Sequence, residues 1–140
     1  MGLIQELDLV ERVSIHPDVP QTQMPSLYRG ASVYLQTSYE EGLGISVLEA
    51  MASGLPVVAT DTAGTRETID NGETGWLVSQ DGDVPGVVAA RAVSVLKSYS
   101  NDMSRRARER AVSLFSDQAT LWRHLDVYDQ LLADRPVGDR

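Results

Sequence analysis

Hydrophobic positions along this chain switch several times between helical spacing and short unbroken runs. Leu3, Ile4, Leu7 and Val10 share one helical face, so residues 3–10 are read as the end of a helix. Residues 13–15 form a short β-rich run, a turn follows at residues 17–20, and residues 23–30 make a short helix with Met24, Leu27 and Tyr28 on its apolar side. The β-rich runs 32–36, 56–60 and 75–78 read as buried strands. Between them lie a helix over residues 44–53, stopped by Gly54, a single helical turn at 65–69, and a turn at Asn71 and Gly72. The remainder is helical over 84–99, 102–115 and 117–133, with a frayed tail over 135–140.

Strands alternating with helices through short loops predict an α/β domain with a parallel sheet covered on both faces. In such sheets ligands bind beyond the carboxyl ends of the strands. The loops after Gln36, Thr60 and Val78 are therefore the ones to watch. Because the chain opens on a helix end with no strand before it, it is expected to be the later, truncated part of a longer domain.

The first of those loops carries the chemistry. Gly42 and Gly44 let the backbone turn tightly and approach a ligand where a strand hands over to a helix. The first amides of that helix lack internal partners and sit at the positive end of its dipole, an arrangement suited to a diphosphate. Glu49 follows Gly44 by five residues, roughly 7–8 Å along the axis, and its side chain leans back toward the helix start. A carboxylate there suits the vicinal hydroxyls of a ribose, while Glu41, ahead of the helix, lies toward the sugar end of the same ligand. Read blandly, Glu49 is a solvated helix residue and Glu41 a loop acid beside Glu40; the spacing suits the ligand.

Composition narrows the alternatives. The 140 residues suffice for one domain with a core. The absence of cysteine excludes disulfides, thiolate metal sites and a cysteine nucleophile, and His16 and His124 lie too far apart in sequence to suggest a metal cluster. No apolar run approaches the roughly 20 residues of a membrane span, and the acidic amphipathic start does not read as a signal peptide, so a cytoplasmic setting is expected. A formal net charge of −8 argues against nucleic acid as a partner.

The segment EGLGISVLE, with two glutamates separated by seven residues, is followed by AMASGLPVVATDTAGTRETIDNGETGWLV. Together they resemble the C-terminal, donor-binding domain of family 4 retaining glycosyltransferases of the GT-B fold. The preceding QMPSLYRGASVYLQTS is similar to that family's helix and strand before the motif. The resemblance covers nearly the whole chain and implies a Rossmann-like parallel sheet. It implies that Glu49 binds the donor ribose, and that Glu41 is catalytic, contacting the donor sugar and stabilising charge as the anomeric bond breaks. Backbone amides of Gly42, Leu43, Gly44, Ile45 and Ser46 would hold sugar hydroxyls and phosphate.

The implied reaction moves a sugar from a nucleotide diphosphate sugar to a carbohydrate or lipid-linked acceptor, with retention and with no metal or other cofactor. Leu43 stands where the family often has an aromatic residue, and Ser46 where it often has proline. The family's diphosphate-neutralising basic residues and its acceptor domain would lie upstream of Met1. This chain alone is thus expected to bind a donor weakly and not to catalyse transfer. Competing readings are a non-catalytic nucleotide-binding module and a GT-B epimerase or phosphorylase; no G-x-G-x-x-G supports a nicotinamide dehydrogenase.

Other features read as structural. Asp83 is expected to cap the helix beginning near Val84 and Pro85, in preference to forming a D-x-D metal motif with Asp81. Arg105, Arg106, Arg108 and Arg110 read as a solvated face, with anionic lipid heads and peripheral membrane contact as the alternative. Trp122, Leu125, Tyr128 and Leu132 share helical spacing and read as a packing stripe. Asp61 and the amides near Ala63 and Thr65 close the next loop, either as a turn and helix cap or as a border of the pocket. His16, before a proline, is read as structural.

Overall fold

The computed structural model describes residues 2–98 and 101–133. Three parallel strands, β1 (Tyr34–Gln36), β2 (Val57–Thr60) and β3 (Trp76–Val78), lie in the order β1-β2-β3. The register pairs Gln36 with Ala59 and Thr60 with Val78. The helices are α1 (Gly2–Glu6), α2 (Met24–Gly30), α3 (Ile45–Ala52), α4 (Ala63–Thr68), α5 (Val84–Lys97), α6 (Asn101–Phe115) and α7 (Asp117–Ala133). A 3-10 turn over Gln21–Gln23 leads into α2.

All four residues of β2 are buried, because this central strand is covered on both faces. Its side chains alternate between two cores, as strand geometry requires. Val57 and Ala59 join Tyr28, Val47, Met51 and Ala107 on the face covered by α2, α3 and α6. Val58 joins Val78, Val88 and Val95 beneath α5. Each valine or methionine buried in these cores contributes about 1.5–3 kcal/mol. This is the expected α/β sheet with helices on both faces.

The helix ends follow local chemistry. Gly54 takes φ 80° after α3, with Leu55 N–H donating to Ala50 O at 3.0 Å and Gly54 N–H to Met51 O at 2.9 Å. This pair of bonds is the glycine-terminated motif that satisfies the last carbonyls of a helix. Asp8, at φ 53°, plays the same part after α1, so that helix ends at Glu6, before the expected position 10. Asp83 caps α5 by accepting from Gly86 N–H at 3.0 Å, with Pro85 in the first turn, as its sequence predicts. The end of α5 at Lys97 leaves the expected Tyr99 terminus outside the described residues, as is the tail over 135–140.

Two expectations fail. Residues 13–15 are not a strand: no described neighbour offers them a ladder, and Val13 and Ile15 are exposed. The α7 stripe of Trp122, Leu125, Tyr128 and Leu132 is likewise exposed, because α7 rests against α6 and none of its residues is buried. Helical spacing marks an apolar face but not what covers it.

The arginines of α6 keep a solvated face, with Arg105 and Arg108 exposed and Arg106 and Arg110 half-buried, and three of them also reach backbone carbonyls of other elements. Arg110 donates to the carbonyls of Thr68 at 2.8 Å and Glu67 at 3.0 Å, closing the end of α4. Arg108 donates to the carbonyl of Ala52, the last residue of α3, and Arg106 to that of Glu73 at 3.0 Å. Cations at helix C-termini complement the orphan carbonyls there. Arg105 instead pairs with Glu109 at 2.8 Å on the surface.

Candidate functional site

The loops that follow the three strands converge. Tyr39, Glu40, Glu41 and Gly42 come from the loop after β1, Asp61, Thr62 and Ala63 from that after β2, and Gln80 from that after β3. They line one open cleft of about 600 Å³ at the carboxyl ends of the sheet, where α/β sheets bind ligands. A second cleft, of about 390 Å³, is lined by Gln21, Met24, Tyr28, Glu49, Ser53 and Arg108, among others. Glu41 and Glu49 therefore border different openings, the first at the carboxyl ends of the strands and the second between α2, α3 and α6.

That first turn starts from Gly44, which is buried and holds φ 75°. A residue with a side chain is strained in this left-handed conformation, which explains the glycine. No side chain caps α3 at Gly44. Leu43 and Ile45 are exposed, whereas Ser46 is half-buried and turns its hydroxyl toward Gln36 Oε1 at 3.1 Å.

Glu49 is half-buried and receives two donors, the Tyr28 hydroxyl at 2.9 Å and the Gln21 amide. Burial, with the hydrogen bond and charge of Glu49 behind it, pushes the Tyr28 phenol above its ordinary value. The phenol, protonated at neutral pH as any tyrosine is, thus remains a donor to Glu49 farther into the alkaline range. Tyr28 is itself fixed by edge-on packing against Tyr34, with ring centres 5.9 Å apart.

Glu41 is also half-buried and accepts from the side-chain amide of Gln36. Its backbone meets α4: Gly64 N–H donates to Glu41 O at 3.1 Å. A Cβ on Gly64 would sit 2.6 Å from the carbonyl oxygens of both Glu41 and Gly42, so the close approach requires glycine. Thr62 and Thr65 form a reciprocal capping box at the start of α4. Both readings of this loop hold together: it caps a helix and it borders the cleft. Asp61 forms a bidentate pair with Arg66 on the rim, which holds the guanidinium above its ordinary range through that hydrogen bond and charge.

Sequence reasoning brought out Glu41, Glu49 and the glycine turn but missed Tyr28, Gln36 and Gly64 as their neighbours. Gln36 was legible in principle, as a polar residue ending an otherwise apolar strand. His16 is exposed and lines neither cleft.

Residues 2–111 match the family model described as glycosyl transferases group 1. The chain belongs to that family. A D-inositol 3-phosphate glycosyltransferase of Mycolicibacterium vanbaalenii is 34% identical over 134 residues, which are 96% of this chain and 29% of that protein. Sucrose-phosphate synthase from Thermosynechococcus elongatus superposes with a TM-score of 0.82 at 29% identity, over 96% of this chain and 34% of that one. The Anabaena protein HepE, solved in complex with UDP-glucose, shares the fold with a TM-score of 0.76 at 22% identity, covering 94% of this chain and 35% of its own. The group 1 chain described here thus spans about a third of the relatives it matches. Among the described residues, no helix is long and apolar enough to cross a membrane.

Proposed function

We propose that this chain belongs to the donor-binding domain of a retaining glycosyltransferase, one that takes a sugar from a nucleotide diphosphate sugar. The observation that carries the reading is the convergence of all three strand-end loops on the cleft that holds Glu41, with Glu49 bordering a second cleft between α2, α3 and α6. In this reading Glu49 receives the ribose hydroxyls and Glu41, as the catalytic carboxylate, faces the sugar. The amides of Gly42, Leu43, Gly44, Ile45 and Ser46 face the diphosphate. The UDP-glucose bound by the fold relative HepE supports this class of ligand.

The same reading assigns the carbohydrate or lipid-linked acceptor to a further domain, requires no metal, and sets the protein in the cytoplasm with peripheral membrane contact made by the whole protein. Donor affinity tests it. UDP-glucose, GDP-mannose and ADP-glucose titrated into the chain should include one ligand whose binding weakens on Glu49→Ala by the equivalent of about 1–3 kcal/mol, the range of a charge-assisted contact. Unchanged affinity in the variant removes the role given to Glu49.

A further inference from the structure

The side chain of Gln36 is held more firmly than a strand-end glutamine needs. Its backbone is fixed in the sheet opposite Ala59, and the residue is buried. Its Oε1 accepts from the Tyr34 hydroxyl at 2.6 Å and from the Ser46 hydroxyl at 3.1 Å. Its Nε2 donates to Glu41 Oε2. An ionised carboxylate accepts hydrogen bonds and donates none, so the atom facing Glu41 is the nitrogen, and the two hydroxyls on the other side fix the oxygen there. The amide has one orientation that satisfies all three neighbours.

From this we infer that Gln36 is a positioning residue for Glu41, with Tyr34 and Ser46 locking the amide that aims the carboxylate across the larger cleft. The inference rests on the proposed role of Glu41 toward the donor sugar and adds the device that sets its geometry. Glu41 sits in a loop, where a carboxylate otherwise samples several rotamers. A buried amide anchored on a strand and on the first turn of α3 selects one of them before the ligand arrives. Tyr34 also packs against Tyr28, which holds Glu49. Both carboxylates are therefore aimed by side chains that meet in one aromatic contact.

The test separates the sugar from the nucleotide. Affinities for UDP and for UDP-glucose are measured by NMR titration on the chain and on Gln36→Leu, Tyr34→Phe, Ser46→Ala, Glu41→Ala and Gln36→Leu with Glu41→Ala. Gln36→Leu should reduce the affinity gained from the glucose by about fivefold while UDP binding stays within about twofold. Tyr34→Phe and Ser46→Ala, which each delete one oxygen and leave the strand ladder alone, should give smaller losses of the same kind. In the Glu41→Ala background, where Gln36 has no side-chain acceptor left at position 41, Gln36→Leu should change nothing further.

Equal weakening of UDP and UDP-glucose by Gln36→Leu, or an undiminished effect once Glu41 is altered, overturns the inference by showing that Gln36 acts on the fold. Failure of the donor-binding reading is seen elsewhere, as unchanged UDP affinity in Glu49→Ala.

Discussion

Gly64 and Glu41 meet backbone to backbone: the amide of the first donates to the carbonyl of the second at 3.1 Å, with no room for a Cβ between them. This contact ties the start of α4 to the loop after β1 and sets how the Glu41 turn stands over the cleft. Gly64→Ala places a methyl carbon 2.6 Å from two carbonyl oxygens, so either the turn or the start of α4 must shift. The expected cost is about 1–3 kcal/mol in denaturant unfolding, the range for overpacking a tight contact. Binding of UDP-glucose should weaken as well, whereas Gly30→Ala, with open space around its Cβ, should leave binding unchanged.

The arginines of α6 give a stability prediction with an internal control. Arg110 closes the end of α4 through two carbonyls. Arg110→Met retains the apolar stem but removes both donors, and should lower unfolding stability by about 1–3 kcal/mol. Arg105→Ala removes only an exposed pairing with Glu109 and Asp102 and should leave the denaturation midpoint where it was.

Tyr28 supplies a pH dependence. Its phenol is raised above the ordinary value of 10.0, first by burial and then by Glu49. The folded protein therefore keeps a proton that the unfolded chain releases once pH passes about 10. The native state binds more protons in that window, so this contribution to stability is complete below pH 10 and declines as pH rises beyond it. Urea unfolding between pH 8 and 11 should show the decline in the wild-type chain and a shallower one in Tyr28→Phe. Parallel curves for the two proteins would contradict the assignment.

Much of this was legible in the residues themselves. The run of Val57, Val58, Ala59 and Thr60 announced a strand buried on both faces, and Gly54, Asp83 and Pro85 marked helix ends through chemistry that acts within a few residues. Glu41 and Glu49 stood out because the helix start between them fixes their spacing. Contacts distant in sequence left weaker traces. Arg110 reaching Thr68 and Gly64 reaching Glu41 depend on how helices pack on the sheet, and no periodicity encodes that. Residues 13–15 and the α7 stripe show the converse: their patterns are those of strand and packed helix, but a strand needs a neighbour and an apolar stripe needs a cover.

The most direct test of the central claim compares UDP with its 2′-deoxy analogue, on the chain and on Glu49→Ala. If Glu49 receives the ribose hydroxyls, the wild-type chain should prefer UDP by about tenfold, the equivalent of roughly 1.4 kcal/mol, and Glu49→Ala should bind the two alike. A preference that survives intact in Glu49→Ala would contradict the account, because the hydroxyl would then be recognised by some other group.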